Sequence, residues 1–186
     1  MERRIITAIT GGIGSGKTYV ASLLRKRGIE VYDCDAAAKQ IMRQSGDIQN
    51  ALAELIGKPV IVDGQLNKRA IAEFLLESES NKQAINDIVH PAVARDFEQS
   101  GFTWIESAIL FESSFNSRTH IDRVVCVVAP KRVRVKRIVE RDHITASQAR
   151  QWIDSQTPQQ IIARQSDYVI VNDGVKDIEQ QLEQLL

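Results

Sequence analysis

A glycine-rich stretch near the start of the chain has the spacing of a phosphate-binding loop. It lies between an apolar segment, residues 5–10, and an amphipathic segment, residues 19–27. Glycines let successive backbone N–H groups curl around an anion, and a following helix adds its positive end. The pattern G-x-x-x-x-G-K-[S/T] is matched by Gly11, Gly12, Ile13, Gly14, Ser15, Gly16, Lys17 and Thr18. The stretch therefore predicts a site for a nucleotide polyphosphate, the alternative being a glycine-rich turn without a ligand.

Two side chains of this loop have predicted roles of their own. Lys17 is expected to reach the β and γ phosphates, and the Thr18 hydroxyl is expected to bind Mg²⁺. Backbone groups from Gly12 to Tyr19 supply the other contacts to the nucleotide. ATP and Mg²⁺ are therefore the expected ligands.

A pair of acids follows the second apolar segment, residues 29–32. Asp33 and Asp35 are two positions apart, so they share one side of an extended chain. We predict Asp35 as the base that accepts a proton from an attacking hydroxyl, with Asp33 ordering the magnesium or the local loop. The alternative is that Asp35 caps a helix that begins near Ala36.

The third apolar segment, residues 102–110, is followed by Phe111 and Glu112. A carboxylate at the end of a buried strand can contact magnesium through water or hold the substrate. We therefore predict a binding role for Glu112, against the alternative of an ordinary exposed loop acid. Glu106, inside the same segment, is given no functional role.

A basic segment follows Pro130, and its cationic residues are Lys131, Arg132, Arg134, Lys136, Arg137 and Arg141. On a helix, Arg134, Arg137 and Arg141 share one face. Such a face could close over a nucleotide, neutralise the transferring phosphoryl group and exclude water. We predict this role for Arg137 and Arg141, with Arg164 as a further candidate. The alternative is a solvated helix face.

Short apolar segments alternate with helical patterns along the chain, which predicts an α/β fold with a parallel sheet. The predicted strands cover residues 5–10, 29–32, 102–110, 123–128 and 168–171. Ligands of such sheets bind at the carboxyl ends of the strands. The candidate residues that follow the first three strands are therefore expected at that edge.

Two regions between the strands are predicted to be helical. Residues 36–101 form a lobe in which Asn67 caps a helix to about Glu77, Ser80 with Gln83 caps the next, and Pro91 starts another. Residues 131–165 hold two or three helices. Their expected starts are Thr145 with Gln148, and Thr157-Pro158 with Gln160. Turns are expected at residues 62–65 and 172–174.

Composition limits the classes of protein that remain. The 186 residues suffice for one compact domain, and 24 Lys and Arg balance 24 Asp and Glu. A net charge of +0 gives no field that would favour nucleic acid or an anionic membrane. Apolar runs are too short to span a bilayer, and the N-terminus lacks a signal peptide pattern. We expect a cytoplasmic monomer or weak oligomer.

Missing motifs narrow the class of nucleotide enzyme. Neither Asn-Lys pair, at Asn67 or at Asn81, is followed by the aspartate of a guanine-reading motif. The chain is also short for a motor domain. A small-molecule kinase is favoured, and its acceptor is open among nucleosides, nucleotides and shikimate-like alcohols. A nucleotide-dependent binding switch is the other alternative.

Several motifs in this order resemble the dephospho-coenzyme A kinase family. Besides the loop, the matching stretches are residues 31–35, His90-Pro91, residues 110–112, Lys136-Arg137, Arg141-Asp142 and residues 167–174. The resemblance covers nearly the whole chain. It implies the P-loop kinase fold with strand order 2-3-1-4-5, a lid over residues 131–165 and an acceptor-binding lobe over residues 36–101.

The activity that this resemblance implies is phosphoryl transfer from ATP to the ribose 3′-hydroxyl of 3′-dephospho-coenzyme A. It implies Asp35 as the base and His90 as a residue of the acceptor pocket. The chain departs from the family pattern at Ala108, where proline is usual. Without that proline, the loop that carries Glu112 is expected to be less constrained. It also departs at Ser166, usually alanine, and at Tyr19, usually threonine or serine.

Overall fold

A computed structural model of the protein describes residues 4–186, which divide into two compact units. The first, here the sheet unit, comprises the chain up to Tyr32, Phe102–Leu110 and His120–Leu186. The second, here the helical unit, comprises Asp33–Gly101 and Phe111–Thr119. No helix within residues 4–186 is both long and apolar enough to cross a bilayer.

The strands of the main sheet are β1 (Thr7–Thr10), β2 (Val31–Asp33), β5 (Trp104–Glu106), β6 (Arg123–Val128) and β7 (Tyr168–Val171). They lie in the order β2-β5-β1-β6-β7. Strand β1 runs parallel to β5 and β6, and β6 runs parallel to β7. Counted along the chain, this is the order 2-3-1-4-5, so the predicted fold class is confirmed.

The third strand is shorter than predicted. It was expected to reach residue 110, but it ends at Glu106, and the chain turns from residue 108 onward. Leu110 and Phe115 are fully buried although neither lies in a strand. An apolar run of this length cannot by itself distinguish a strand from buried turns.

Apolar side chains from the strands and the first helix form the core of the sheet unit. Ile9 of β1 and Val127 of β6 are completely buried together with Val20 and Leu24 of helix α1 (Lys17–Lys26). Burial of each such side chain contributes about 1.5–3 kcal/mol. This packing fixes the helix against the strand from which the loop at residues 11–16 emerges.

Four further helices belong to the sheet unit: α6 (Lys131–Asp142), α7 (Ala146–Asp154), α8 (Gln159–Arg164) and α9 (Ile178–Glu183). The predicted capping box of Thr145 and Gln148 is present at the start of α7. The predicted cap at Thr157 is wrong, because α8 begins after Pro158 without a side-chain cap. Proline at a helix start fixes the backbone angle without one.

The helical unit contains α2 (Cys34–Gln44), α3 (Gly46–Ile56), α4 (Lys68–Glu77), α5 (Glu79–Ser100) and a short 3₁₀ helix, Phe115–Ser117. Asn67 caps α4 as predicted, since its side chain accepts a hydrogen bond from the Ala70 N–H. A hairpin of β3 (Ile61–Val62) and β4 (Gln65–Leu66) confirms the turn between them.

Helix α5 differs from the prediction at two points. Its cap is Ser78, two residues before the expected Ser80, and it continues through Pro91 instead of starting there. Ile85, Val89 and Val93 bury one face on both sides of the proline. Burial of that continuous face outweighs the backbone hydrogen bond that Pro91 removes.

Candidate nucleotide and acceptor sites

The loop between β1 and α1 turns its carbonyl groups toward side chains of the protein. Lys17 Nζ donates to the oxygens of Gly11 at 2.7 Å and Gly12 at 3.4 Å. The Ile13 oxygen accepts from Arg134 Nε at 2.7 Å. The Ile13 N–H donates to Gln156 Oε1 and the Ser15 N–H to the Gly12 oxygen, so the remaining N–H groups of the curl are the ones suited to an anion, as in a backbone nest.

Arg137 and Asn172 hold the second half of the loop. Arg137 Nη1 lies 3.3 Å from the Gly14 oxygen and 3.2 Å from the Ser15 oxygen. Asn172 Nδ2 donates to the same Ser15 oxygen at 2.9 Å, and its Oδ1 accepts from Arg137 Nη2 at 2.9 Å. These three residues form a closed hydrogen-bonded group, which fixes the backbone directly before α1.

Gly16 has no room for a side chain. Its φ of 97° lies in the left-handed region, and a Cβ there would stand 2.1 Å from Asn172 Nδ2. Glycine is therefore required both by the backbone conformation and by the neighbouring amide.

Ser15 contributes a buried polar side-chain atom to the loop. Its side chain is fully buried, and its hydroxyl has no hydrogen-bond partner among residues 4–186. A buried hydroxyl is normally satisfied in the functional state. Together with the held carbonyls, this atom fits a loop that is completed by a phosphate.

Glu106 is a site residue that the sequence analysis missed. It is the last residue of β5, beside Ile9 of β1, and its Oε1 accepts a hydrogen bond from the Thr18 hydroxyl at 2.8 Å. Its side chain is 7% exposed. The strand was extended too far in the prediction, so the strand-ending acid was sought at Glu112. The sequence signal that could have ended the predicted strand at Glu106 was Ser107-Ala108, since these residues do not continue a strand pattern.

Carboxylate and hydroxyl oxygens are the ligands that Mg²⁺ takes in such sites. Within the described chain no group of three or more His, Cys, Asp or Glu side chains could hold a metal ion. Mg²⁺ commonly binds through one or two protein ligands plus phosphate oxygens and water. Thr18 and Glu106 fit that arrangement.

A cavity of about 600 Å³ opens beside the loop in the sheet unit. Its volume suits a small organic ligand. Tyr19, 53% exposed, contributes to its wall. The wall also includes Gly16, Arg137, Asn172, Gly174, Lys176, Asp177, Ile178 and Glu179. The cavity therefore offers space for the nucleoside of a nucleotide whose phosphates occupy the loop.

The three arginines predicted to share one face of α6 differ in their contacts. Arg134 and Arg137 contact the loop, whereas Arg141 makes two hydrogen bonds to the neighbouring Asp142 at 2.9 and 2.7 Å. The Arg141 side chain is 61% exposed. Contact with a phosphate therefore remains a prediction for Arg137 and Arg141.

The two predicted acids at the end of β2 do not share an extended face. Asp33 ends the strand and caps α2, because its Oδ1 accepts from the Ala36 N–H at 2.9 Å. Asp35 is exposed in the first turn of that helix. The cap that the sequence analysis considered for Asp35 is therefore provided by Asp33.

His90 is buried in the helical unit. It is 6% exposed, its ring lies edge-on to Phe115 with 5.7 Å between centroids, and its Nδ1 has no hydrogen-bond partner among residues 4–186. Burial, and then the charge of Arg118, lowers the pKa of His90 to about 4. The imidazole is therefore neutral near pH 7.

Glu112 is exposed in the turn that precedes Phe115.

The parallel sheet with strand order 2-3-1-4-5 and the glycine-rich loop after β1 define a P-loop nucleotide-binding fold. A solved structure, TT1252 from Thermus thermophilus, has a TM-score of 0.82 and 29% identity, covering 99% of this chain and 97% of that one. A dephospho-CoA kinase from Campylobacter jejuni has a TM-score of 0.65 at 19% identity over 97% and 94%. These likenesses support the fold.

Relatives and a family model identify the family. A relative from Bacteroides fragilis named dephospho-CoA kinase is 37% identical over 96% of this chain and 89% of its own length. One of the same name from Porphyromonas gingivalis is 39% identical over 90% and 86%. The model of the dephospho-CoA kinase family matches residues 5–177. The chain belongs to that family.

Proposed function

We propose that this protein transfers the γ-phosphoryl group of ATP to the ribose 3′-hydroxyl of dephospho-CoA, giving CoA and ADP. Family membership supports ATP-dependent phosphorylation of dephospho-CoA, in CoA biosynthesis, as its activity. The observation that supports nucleotide binding is the loop whose carbonyl oxygens accept hydrogen bonds from Lys17, Arg134 and Arg137. Its N–H groups are thereby oriented for phosphate before any nucleotide binds.

The nucleotide is assigned to the sheet unit. Backbone N–H groups from Gly12 to Tyr19 surround the phosphates, except those of Ile13 and Ser15, which donate to Gln156 Oε1 and to the Gly12 oxygen. Lys17 contacts the β and γ phosphates, and Arg137 with Arg141 neutralises charge as the phosphoryl group moves. Arg141 must exchange Asp142 for phosphate to do so, which is a small movement for an exposed side chain.

Magnesium belongs to this proposal as the companion of ATP. Thr18 and Glu106 would hold it, with Asp33 as a further candidate, and bound Mg²⁺ stabilises negative charge on the phosphate oxygens. The hydrogen bond between Thr18 and Glu106 keeps both side chains in place for that role.

The acceptor hydroxyl is assigned to Asp35. Asp35 is exposed in the first turn of α2, so its carboxylate is accessible to a substrate hydroxyl and suited to accept the 3′-hydroxyl proton. His90, Glu112 and Asp33 are proposed to bind the acceptor. The neutral ring of His90 suits a hydrogen bond to an uncharged group, since its Nδ1 has no partner in residues 4–186.

A cytoplasmic location completes the proposal. Neither Cys34 nor Cys126 forms a disulfide within residues 4–186, and both are buried; reduced thiols are typical of a reducing compartment. Burial raises the pKa of Cys126 to about 11, so this thiol stays protonated and inert.

An acceptor-dependent assay of ADP release tests the function. We expect turnover with ATP, Mg²⁺ and dephospho-CoA, and none above background with adenosine, a nucleoside monophosphate or shikimate. Turnover with a nucleoside but not with dephospho-CoA would contradict the proposal. Acceptor-independent hydrolysis as the sole activity would favour a nucleotide-dependent switch.

A further inference from the structure

Gln156 lies in the turn between α7 and α8, far along the chain from the phosphate loop that it contacts. We propose that Gln156 and Arg134 are positioning residues that together fix the backbone of Ile13, and through it the alignment of the terminal phosphoryl group of ATP. The expected effect on turnover rests on the function proposed above. The restraint of the Ile13 backbone by hydrogen bonds does not depend on that function.

Both polar groups of Ile13 are held by this pair. The Ile13 N–H donates to Gln156 Oε1 at 2.8 Å, and the Ile13 oxygen accepts from Arg134 Nε at 2.7 Å. Arg134 Nη2 also donates to Gln156 Oε1 at 3.3 Å, so the two side chains are joined. Holding the N–H and the carbonyl of one residue restrains both of its backbone dihedral angles.

The pair sits directly on the loop. A Cβ added at Gly12 would stand 2.4 Å from Arg134 Nη2 and 3.2 Å from Gln156 Oε1. The second loop position therefore has to be glycine for the pair to reach Ile13. The close approach also leaves little freedom for the loop to shift while Arg134 and Gln156 are in place.

Arg134 brings a buried positive charge to this position. It is 5% exposed, and within residues 4–186 it forms no ion pair with a carboxylate. Burial lowers the pKa of its guanidinium, the direction expected for a cation removed from water, and the charge of Asp154 opposes that shift. A buried guanidinium without a carboxylate partner favours the arrival of an anion, which suits a residue beside a phosphate loop.

The Ile13 N–H is consequently not available to a phosphate oxygen while Gln156 holds it. Its contribution is instead to set the direction in which the following backbone, from Gly14 onward, presents its N–H groups. Phosphoryl transfer depends chiefly on alignment, and a displacement of about 1 Å can lower a rate roughly 100-fold. Loss of the pair should therefore affect turnover more than nucleotide affinity.

Gln159 provides a matched control. It lies in the same region and is also partly buried, and its side chain by itself holds both polar groups of one residue. Gln159 Oε1 accepts from the Ala129 N–H at 3.3 Å, and its Nε2 donates to the Ala129 oxygen at 3.1 Å. Gln159→Met therefore removes a comparable bracing contact that does not touch the loop.

The experiment compares Gln156→Met, Gln156→Glu and Gln159→Met. We expect Gln156→Met to lower kcat roughly 10- to 100-fold with a smaller change in the KM for ATP. Gln156→Glu keeps an acceptor oxygen beside Arg134 and should restore most of kcat. Gln159→Met should retain wild-type kcat, although both methionine variants lose similar thermal stability.

Hydrogen exchange of the Ile13 amide in the nucleotide-free protein gives a second readout. We expect slow exchange in the wild type and in Gln156→Glu, and fast exchange in Gln156→Met. Should the methionine variant fail to fold, Gln156→Asn, one methylene shorter, carries the same expectation. Equal kinetic losses in Gln156→Met and Gln159→Met, or no rescue by glutamate, would overturn the positioning role.

The two proposals fail in distinguishable ways. If the wild-type protein shows no turnover with dephospho-CoA, the proposed function is contradicted. Hydrogen exchange of the Ile13 amide then still tests whether Gln156 holds the Ile13 N–H. Fast exchange at Ile13 in a wild type that does phosphorylate dephospho-CoA overturns the positioning pair and leaves the function intact.

Discussion

Asp33 and Asp35 are separated by one cysteine but have different surroundings. Asp33 Oδ1 accepts the Ala36 N–H at 2.9 Å and so begins helix α2. Asp35 lies one residue into that helix and is exposed. A capping carboxylate stabilises its helix by about 1 kcal/mol, which gives Asp33 a structural task. The role of base proposed for Asp35 is the prediction to test.

Replacing each aspartate by asparagine separates these tasks. Asp35→Asn removes a proton acceptor, so we expect kcat to fall about 100- to 10,000-fold with little change in the KM for ATP. Asp33→Asn keeps the cap, because asparagine caps as well as aspartate, and its loss of kcat should be smaller. Steady-state kinetics of both variants with dephospho-CoA makes the comparison. Near-normal turnover of Asp35→Asn, with a large loss in Asp33→Asn, would transfer the role of base to Asp33.

At the scale of elements, the phosphate loop is the decisive segment. Its shape is imposed from outside, because side chains of α6 and of the residue after β7 hold its carbonyl oxygens. Gly16 is the tightest point of this contact, since a Cβ would stand 2.1 Å from Asn172 Nδ2. A change at this position should therefore disturb the loop rather than the whole unit.

Gly16→Ala tests that conclusion against Gly57→Ala. Both glycines have positive φ, 97° and 70°, so alanine costs each about 1–2 kcal/mol of backbone strain. Gly57 has no atom within 4 Å of an added Cβ, so its variant should lose stability but keep ATP binding and turnover. Gly16→Ala should lose ATP binding as well. Calorimetric titration with ATP and thermal unfolding of both variants provide the readouts; equal ATP affinity would contradict the steric argument.

Local signals predicted elements well where side chain and backbone meet within a few residues. The caps at Asn67 and Thr145 and the turn at Asp63-Gly64 are confirmed. Helix α5 was predicted wrongly at Pro91, because its stability comes from a buried face that continues past the proline. The predicted length of β5 was also wrong, and the strand-ending acid was therefore placed at Glu112 instead of Glu106. Burial in turns and burial in strands leave the same apolar pattern in a sequence.

For the whole molecule, the strand order followed from the family resemblance and is confirmed. The residues that shape the phosphate loop were less accessible to prediction. Gln156 and Asn172 lie more than a hundred positions from the loop, and the roles of glutamine and asparagine as backbone partners depend on tertiary contacts. Lys17 and Thr18 are singled out by the loop motif itself, and their contacts to phosphate and Mg²⁺ remain predictions.

A structure of the protein with Mg²⁺, a non-hydrolysable ATP analogue and dephospho-CoA tests the account most directly. We predict β-phosphate oxygens about 3 Å from the backbone N–H groups of residues 14 and 16–18 and from Lys17 Nζ, with the ribose 3′-hydroxyl hydrogen-bonded to Asp35. Phosphates bound away from the loop, or an acceptor hydroxyl that does not contact Asp35, would contradict it.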